Sequence, residues 1–446
     1  MSSLSQKSAA SAYAIAPGPV AYIMKRYPRL TETFIINEIR AMERLGADLR
    51  IFSLLQPEPP PHHPMVAQVA APLYVLPAAW GAKLKRLAAS HAKAFTAAPL
   101  RYLGATARAL QWSATSSSPL AVWKHFVRAG YVATACRAQG IAHIHAHFAN
   151  TPTAVAHFAS LMSGIPFSFT AHAKDLYLTR KPIIARRTRA AEFVVTCTGY
   201  NARYLEDIQG HPAGKINLIY HGIDLDMFNA RPAATPAQAA PPLILSVGRL
   251  VPKKGLNDLI SACALLKASG IAFRCRIIGE GPLRNALQDQ IKSAGLEDLV
   301  TLSGAMTHAS LIALYATADL FALPPRIADD GDRDGIPNVI AEAMAIGLPV
   351  VSTDVSGIPE LVRNLETGLL VPPRDPAALA QAMEQLLRDR PLALRLAAQG
   401  RALLERDFDL WTTTRRLHGL IACLDCAPTP RKALHADAPL AEGAQS

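Results

Sequence analysis

Residues 334–362 read DGIPNVIAEAMAIGLPVVSTDVSGIPELV, and the fold class can be inferred from this stretch. A Gly-x-Pro-Asn turn after Asp334 opens a helical pattern that carries a second carboxylate, Glu342. A Gly-Leu-Pro turn ends that helix, the β-branched run at 350–353 predicts a short strand, and Ile-Pro-Glu at 358–360 predicts another helix start. This order is typical of α/β proteins, which bind nucleotides at the carboxyl ends of parallel strands.

The remainder of the chain predicts two domains. A chain of 446 residues is too long for one hydrophobic core. Strand and helix patterns alternate on both sides of a Pro- and Ala-rich segment, which we interpret as a linker. The predicted class is α/β with two Rossmann-like domains, each a parallel sheet flanked by helices. The predicted organisation is a disordered N-terminus at 1–17, a first domain at 18–228, the linker at 229–242, a second domain at 243–408, a helix at 409–426 that crosses back to the first domain, and a disordered tail at 427–446.

The net charge of +12 is unevenly distributed. Residues 1–230 contain 24 Lys and Arg against 11 Asp and Glu, whereas the remaining residues contain 22 against 23. A solvated basic surface explains this asymmetry, and so does an anionic partner such as a lipid surface or a phosphate-bearing acceptor. Nucleic acid is not expected, because no aromatic residues are interleaved with the basic ones.

The helical region from Trp80 to Trp123 is basic, amphipathic and poor in acids. Helices packed on a core and an interfacial membrane contact both fit this pattern. No run of about 18 uncharged apolar residues exists, so no spanning helix is predicted. The expected location is cytoplasmic, with peripheral association at the inner face of the plasma membrane as a further hypothesis.

Three patterns suggest metals, and none leads to an assigned metal site. His143, His145 and His147 share one face of a predicted strand, where they fit either a metal or a strand that runs into a ligand cleft. The acidic run at 329–335 resembles a calcium loop, but its glutamate comes one residue late and a proline interrupts it. Six scattered cysteines, including one CxxC at 423–426, suit a reducing compartment and indicate no disulfide framework.

Two strand ends in the second half predict phosphate binding. Gly248 and Arg249 follow one strand, and Lys254 lies five residues later, so backbone amides and two cations can approach an anion together. Gly279 and Gly281 follow the next strand but lack the third glycine of a dinucleotide fingerprint. A departing diphosphate is the anion that such a site would stabilise, and a surface loop with solvated basic side chains is the alternative.

The carboxylates of the opening stretch predict sugar recognition. Asp334 and Glu342 are eight residues apart, which places one at the mouth of a helix and the other two turns inside. A carboxylate accepts hydrogen bonds from vicinal hydroxyls, and backbone N–H groups at a helix start bind phosphate or sugar oxygens. The residues expected to offer such contacts are Gly335, Ile336, Pro337, Asn338 and Val339.

Together these segments resemble the family 4 retaining glycosyltransferases over about residues 18–425, more specifically in the second half than in the first. Three segments of the first half are similar to members that make colanic acid and other bacterial exopolysaccharides, namely YPRLTETF at 27–34, HAHF at 145–148 and TAHAKD at 170–175. The resemblance implies the GT-B architecture, in which two Rossmann-like domains face each other across a cleft. The donor would bind the C-terminal domain and the acceptor largely the N-terminal one.

Carried over by position, the resemblance implies that Arg249 and Lys254 hold the diphosphate of a UDP- or GDP-sugar. Glu342 would bind the ribose, Asp334 the transferred sugar, and His172 would contact that sugar from the other domain. It implies no required cofactor and an acceptor that is a glycan or polyprenyl-linked. The further cleft candidates are Thr31, His147, Asp175 and Tyr200.

Two features depart from the family pattern. The first acidic residue is usually a glutamate, and Asp334 is shorter by one methylene, so the identity of the sugar cannot be transferred. Many members have a Gly-Gly loop after the first strand, whereas residues 24–33 contain no glycine. The rival functions are a sugar-nucleotide epimerase on the same fold and a non-catalytic nucleotide-sugar-binding subunit. A phosphorylase is less favoured, because no motif marks a pyridoxal-phosphate lysine.

Overall fold

The computed structural model describes residues 18–29, 32–60, 62–76, 78–209, 214–228 and 241–423. These residues form two parallel sheets with helices on their faces, which confirms the predicted α/β class. Most strands are buried along their whole length, as expected for parallel sheets covered on both faces.

The first sheet has its topological switch point in the middle. Its order is β3-β2-β1-β4-β5-β6-β7, so the chain order reverses between β1 and β4, which pair in parallel. Loops that leave the carboxyl ends of strands at such a point diverge and open a crevice. The strands are β1 (Val20–Met24), β2 (Leu49–Ser53), β3 (Leu73–Val75), β4 (His143–His147), β5 (Phe167–Ala171), β6 (Val194–Thr196) and β7 (Ile216–Leu218).

The second sheet repeats this arrangement with six strands. Its order is β10-β9-β8-β11-β12-β13, and the switch point lies between β8 and β11. The strands are β8 (Leu243–Val247), β9 (Arg274–Ile278), β10 (Val300–Leu302), β11 (Leu320–Leu323), β12 (Val350–Thr353) and β13 (Leu369–Val371). The segment inferred as phosphate-binding therefore follows β8, and the segment that contains Asp334 follows β11.

Within the described residues, eight helices belong to the first part of the chain and eight to the second. Those of the first part are α1 (Thr33–Arg44), α2 (Trp80–Ala97), α3 (Pro99–Ala114), α4 (Pro119–Ala138), α5 (Thr151–Ser163), α6 (Ala173–Tyr177), α7 (Lys181–Ala190) and α8 (Gly199–Gln209). Those of the second part are α9 (Leu256–Ala268), α10 (Arg284–Ser293), α11 (His308–Thr317), α12 (Asn338–Ile346), α13 (Ile358–Leu361), α14 (Pro376–Arg388), α15 (Arg390–Asp407) and α16 (Leu410–Ala422).

The basic helical region is divided into three helices. Pro99 and Pro119 each occupy a first helical position, where proline is favoured because its missing N–H would have no partner. Proline also disfavours helical geometry in the residue before it, so one helix ends and the next begins. None of the helices in the described part of the chain is both long and apolar enough to cross a membrane.

The last helix returns to the first sheet. Leu417 and Ile421 of α16 lie in one apolar cluster with Ile35 and Ile39 of α1. The chain is tied there by Ile223, whose N–H donates to Phe408 O at 2.8 Å and whose carbonyl accepts from Leu410 N at 3.0 Å. We propose that the domain bounds are those expected from the sequence. The N-terminus at 1–17, most of the linker at 229–242 and the tail at 427–446 lie outside the described residues.

Candidate functional site

The loops after β8 and β11 lie against each other at the switch point of the second sheet. Lys253 and Lys254 belong to a short 3-10 turn that ends at Gly255, whose φ is +64°. A Cβ at Gly255 would overlap the carbonyl oxygen of Pro324, so glycine permits this close approach. The turn consequently places both lysines beside the loop that carries Asp334.

Asp334 is held by two buried lysines. Its Oδ2 lies 2.6 Å from Lys254 Nζ, and its Oδ1 lies 3.2 Å from Lys253 Nζ. Burial favours a raised pKa for Asp334, but the two ammonium groups outweigh burial and lower that pKa below its usual range. Lys253 also contacts Asp332 at 3.1 Å. An ammonium group has three N–H donors, so Lys254 can bind an anionic oxygen while it holds Asp334.

The glycines of the neighbouring loops bring two backbones together. A Cβ at Gly279 would overlap the carbonyl oxygen of Gly248, and one at Gly281 would lie 2.5 Å from Leu250 O. The Leu250 N–H donates to Glu280 O at 2.9 Å, which joins the two loops. The geometry thus explains these glycines by loop packing, and their contact with a donor stays a prediction. Arg249 is exposed at the start of the same loop.

Glu342 lies on α12 beneath the mouth of the site. Its Oε2 accepts a hydrogen bond from the Tyr315 hydroxyl at 3.1 Å, and burial raises the pKa of Glu342 to about 7. Pro337 precedes the helix, and Asn338 and Val339 form its first turn. Gly335, Ile336 and Pro337 therefore form the strand-to-helix turn, with Asp334 at one end and the helix N-terminus at the other.

The first sheet contributes a group of aromatic and imidazole rings. His172 follows β5, and its ring lies 5.2 Å from Phe34, 4.5 Å from Phe148 and 5.0 Å from His221 between centroids. Burial, reinforced by the neighbouring imidazoles, keeps the pKa of His172 well below its usual range. The ring is therefore neutral at physiological pH.

The histidines of β4 differ in their surroundings. His143 and His145 are buried, and their ring nitrogens bond to hydroxyls of β5, at 2.6 Å and 2.8 Å to Ser168 and at 2.9 Å to Thr170. Burial lowers the pKa of His143 to about 3. Both nitrogens of His145 and the Nε2 of His143 are therefore used inside the sheet, whereas His143 Nδ1 has no hydrogen-bond partner among the described residues.

His147 lies at the end of β4, next to the crevice. Its Nε2 is 3.2 Å from Glu38 Oε1, which also accepts a hydrogen bond from the Tyr22 hydroxyl at 3.0 Å. Sequence reasoning missed Glu38 and Tyr22. Tyr22 reaches this place because β1 pairs with β4, and Glu38 because α1 packs against β1. No local pattern in the sequence indicates this pairing and packing.

Potential metal ligands cluster at two places among the described residues. Donor atoms lie within 4.8 Å of one another in two groups, one formed by His172, Cys197 and His221 and the other by Glu38, His145 and His147. In the first group, burial raises the pKa of Cys197 to about 12, so the thiolate form that binds metals is disfavoured. In the second group, both nitrogens of His145 are bonded to hydroxyls. We assign no metal to either.

The remaining cleft candidates have different environments. Asp175 is buried, and its carboxylate accepts the N–H of His172 at 3.1 Å and that of Ala149, so it supports the backbone under the site. Burial raises the pKa of Asp175 to about 7. Tyr200 lies in the first turn of α8 at the cleft. Thr31 lies outside the described residues.

The two halves of the chain meet at the N-terminus of α8. The Glu360 carboxylate accepts the Gly199 N–H at 2.7 Å and the Tyr200 N–H at 2.8 Å. Thr198 is fully buried between two glycines of the second half: a Cβ at Gly357 would overlap its methyl group, and one at Gly335 would lie 3.4 Å from it. The turn at Gly335 thus touches the first half directly. Glu360 and Thr198 were not selected from the sequence.

A further contact joins the same two regions. The guanidinium of Arg333 lies 4.3 Å from the centroid of the Tyr177 ring, whose hydroxyl donates to Asn201 at 2.9 Å. Cation–π contacts of this kind add about 0.5–2 kcal/mol according to their exposure. The loop that carries Asp334 is therefore anchored on both sides.

Comparison with known proteins agrees with this geometry. Residues 107–227 match the family described as Glycosyltransferase Family 4, and residues 228–403 match Glycosyl transferases group 1. The chain is 32% identical over 425 residues to the putative colanic acid biosynthesis glycosyltransferase WcaL of Escherichia coli K12, covering 91% of this chain and 100% of that protein. The chain belongs to the family 4 glycosyltransferases.

Two further likenesses concern the sequence and the fold. The amylovoran biosynthesis glycosyltransferase AmsK of Erwinia amylovora is 40% identical over 208 residues, 47% of this chain and 51% of that protein. The crystal structure of Anabaena HepE in complex with UDP and glucose superposes with a TM-score of 0.66 at 17% identity, covering 91% of this family 4 chain and 99% of HepE. The GT-B architecture expected from the sequence is confirmed.

Proposed function

We propose that this glycosyltransferase moves a sugar from a UDP- or GDP-sugar to a glycan or polyprenyl-linked acceptor in exopolysaccharide biosynthesis, with retention of anomeric configuration and without a divalent metal. The observation that carries the proposal is the Lys254–Asp334 pair, at 2.6 Å, at the point where the two halves of the chain meet. The names of WcaL and AmsK support the pathway class, and the UDP and glucose in HepE support the donor class.

The proposed chemistry is stabilisation of a leaving diphosphate by fixed cations. As the bond between the sugar and the diphosphate breaks, negative charge grows on the leaving oxygen. Lys254 and Arg249 would bind that charge, and Lys253 keeps a second cation within 3.2 Å of Asp334. Because the lysines are buried and paired before the donor arrives, little reorganisation is needed during transfer.

The sugar and the nucleotide are assigned to the two carboxylates. Asp334 would accept hydrogen bonds from hydroxyls of the transferred sugar, with the Gly335–Val339 turn offering backbone groups beside it. Glu342 would accept the ribose hydroxyls, and Tyr315 holds its carboxylate in position. His172, as a neutral imidazole, would contact the sugar from the N-terminal side.

The decisive experiment combines donor screening with two substitutions. We expect one UDP- or GDP-sugar to raise the melting temperature of the wild-type protein and to be hydrolysed slowly without acceptor. Lys254→Ala and Glu342→Ala should lose transfer while remaining folded. Wild-type turnover in either variant would refute the assignment. An NMR analysis of the product anomer tests retention, and full activity after EDTA treatment tests metal independence.

Two other functions are distinguished by the same assays. A sugar-nucleotide epimerase would interconvert donor sugars with no acceptor present. A non-catalytic subunit would bind a nucleotide sugar yet transfer nothing to a membrane extract. The buried lysine–carboxylate pair favours the transferase, since binding alone does not need cations placed where charge develops.

We also propose peripheral association with an anionic membrane through the first half of the chain. Its support is the excess of Lys and Arg in residues 1–230. Such binding would be sensitive to salt, because exposed charges are screened over about 10 Å at 0.1 M ionic strength.

A further inference from the structure

The outer face of α3 is apolar and exposed. Leu100, Leu103 and Leu110 have 84%, 55% and 58% of their surface accessible, respectively. With Ala107 and Ala114 they recur at intervals of three and four residues, so they form one stripe along the helix. We call these five residues the α3 stripe. The opposite face of α3 already buries Ala105 and Ala109 in the core, so the stripe is a second apolar face.

The neighbouring helices extend this apolar surface. In the described part of the chain, six of the twelve large hydrophobic residues that are exposed lie between residues 84 and 120, in α2, α3 and the start of α4. They are Leu84, Phe95, Leu100, Leu103, Leu110 and Leu120. Scattered exposed leucines are ordinary on protein surfaces, whereas a concentration on adjacent helices marks an interaction surface.

The charge around the α3 stripe has one sign. Residues 59–174 contain ten Lys and Arg and no Asp or Glu. Arg101 and Arg108 are exposed, two turns apart on α3, and lie along one side of the stripe. A surface of leucines bordered by arginines without any acid is the pattern of a helix that lies in the interface of an anionic bilayer.

We infer that the α3 stripe is the membrane-docking surface of this enzyme, with its leucines in the acyl boundary and Arg101 and Arg108 on anionic headgroups. This inference rests on the proposed membrane association and assigns it to residues. A second copy of the chain fits less well, because a symmetric contact through the stripe would bring arginines together. Residues 59–174 contain no Asp or Glu that could pair with these arginines.

The test is sedimentation of the full chain with vesicles. Vesicles of phosphatidylcholine and phosphatidylglycerol are compared with vesicles of phosphatidylcholine alone, at low and high salt. The variant is L100S/L103S/L110S, and the matched control is L265S/L365S/L394S, three exposed leucines of the C-terminal half. Donor hydrolysis without vesicles is measured on all three proteins.

We expect wild type and control to sediment with anionic vesicles at low salt, and the stripe variant to partition at least tenfold less while hydrolysing the donor at the wild-type rate. Equal sedimentation of the stripe variant and wild type would overturn the inference. So would a wild-type dimer, seen by analytical ultracentrifugation without lipid, that the stripe variant loses. The absence of donor hydrolysis in the wild-type protein would instead refute the proposed transferase.

Discussion

The two sides of the cleft hold their polar groups in different ways. On the C-terminal side the groups are charged and paired, with Asp334 between Lys253 and Lys254. On the N-terminal side they are buried imidazoles, with His143 and His145 bonded to hydroxyls and His172 packed among rings. The pKa of His172 and that of His145 are well below the usual range because of burial.

This difference separates two tasks. Fixed charges suit a diphosphate, whose charge increases during transfer, because they are strongest where water is excluded. Neutral rings suit the hydroxyl groups of a sugar and its acceptor, which are uncharged. The comparison predicts large effects from charge removal on one side and smaller, pH-independent effects on the other.

Lys254→Ala should have the largest effect. Removing the cation is expected to lower kcat/KM by about 10³-fold, the size found when a single preorganised donor to a developing oxyanion is lost. Asp334 keeps Lys253 as a partner, so the fold should survive. The control is Lys267→Ala, which removes a lysine that donates to the surface carbonyl of Gly295. A loss in Lys254→Ala no greater than in this control would contradict the charge assignment.

His172→Asn should have an intermediate effect, about 10- to 100-fold on kcat/KM, because a contact to the sugar is altered without loss of a charge. Since burial holds the pKa of His172 well below its usual range, the histidine is neutral near physiological pH. The pH profiles of wild type and variant between pH 5.5 and 8.5 should therefore have the same shape. A rising or falling limb of the wild-type pH profile that is absent from the variant's profile would show that His172 acts in its charged form.

Glu360→Ala should have a smaller effect on turnover, about tenfold, by releasing the contact between the halves. The carboxylate accepts two N–H groups at the start of α8, and charge-assisted hydrogen bonds of this kind are worth about 1.5–3 kcal/mol each. Hydrogen exchange at the Gly199 and Tyr200 amides should accelerate in the variant. Glu366→Ala, on an exposed side chain of the same region, should leave both measurements unchanged.

The smallest expected effect is that of Glu342→Gln on the pH dependence of the free energy of unfolding. Burial raises the pKa of Glu342 to about 7, so the folded chain binds this proton more tightly than the unfolded chain does. The contribution of Glu342 is fully present below the unfolded pKa, near 4.5, and is lost as pH rises through about 7. The free energy of unfolding should therefore fall by on the order of 2 kcal/mol more in the wild type than in Glu342→Gln when the pH is raised from 5 to 7.5.

Urea denaturation at pH 5, 6 and 7.5 measures this difference. Asp175 has its pKa raised to about 7 by burial and contributes in the same direction, but it is present in both proteins and cancels in the comparison. Identical pH dependence in wild type and Glu342→Gln would show that Glu342 is not buried as an acid.

The local chemistry of the site could be read from the chain. The turn at Gly335–Asn338, the cations after β8 and the carboxylates of the 334–342 segment are all defined by neighbours in sequence, because turns and helix starts depend on local backbone preferences. Prolines at 99 and 119 were equally visible, yet their division of the basic region into three helices was not predicted.

Contacts between distant segments could not be predicted in this way. Glu38 reaches His147 because β1 pairs with β4 and α1 packs against β1. Glu360 reaches α8 only because the two halves close on each other. The glycines at 279 and 281 looked like ligand contacts, and the structure explains them by loop packing. Pairing and packing of this kind depend on the whole chain, so no short pattern encodes them.

The sequence by itself determined the fold class and the glycosyltransferase family, and it predicted the carboxylates and cations of the candidate site, since each follows from a contiguous pattern. Only the tertiary structure decided that Asp334 lies 2.6 Å from Lys254, that its loop packs on Thr198, and that the α3 leucines face outward. Burial and distance are properties of the folded chain, and they decide which of the polar residues are charged, which are neutral and which are exposed.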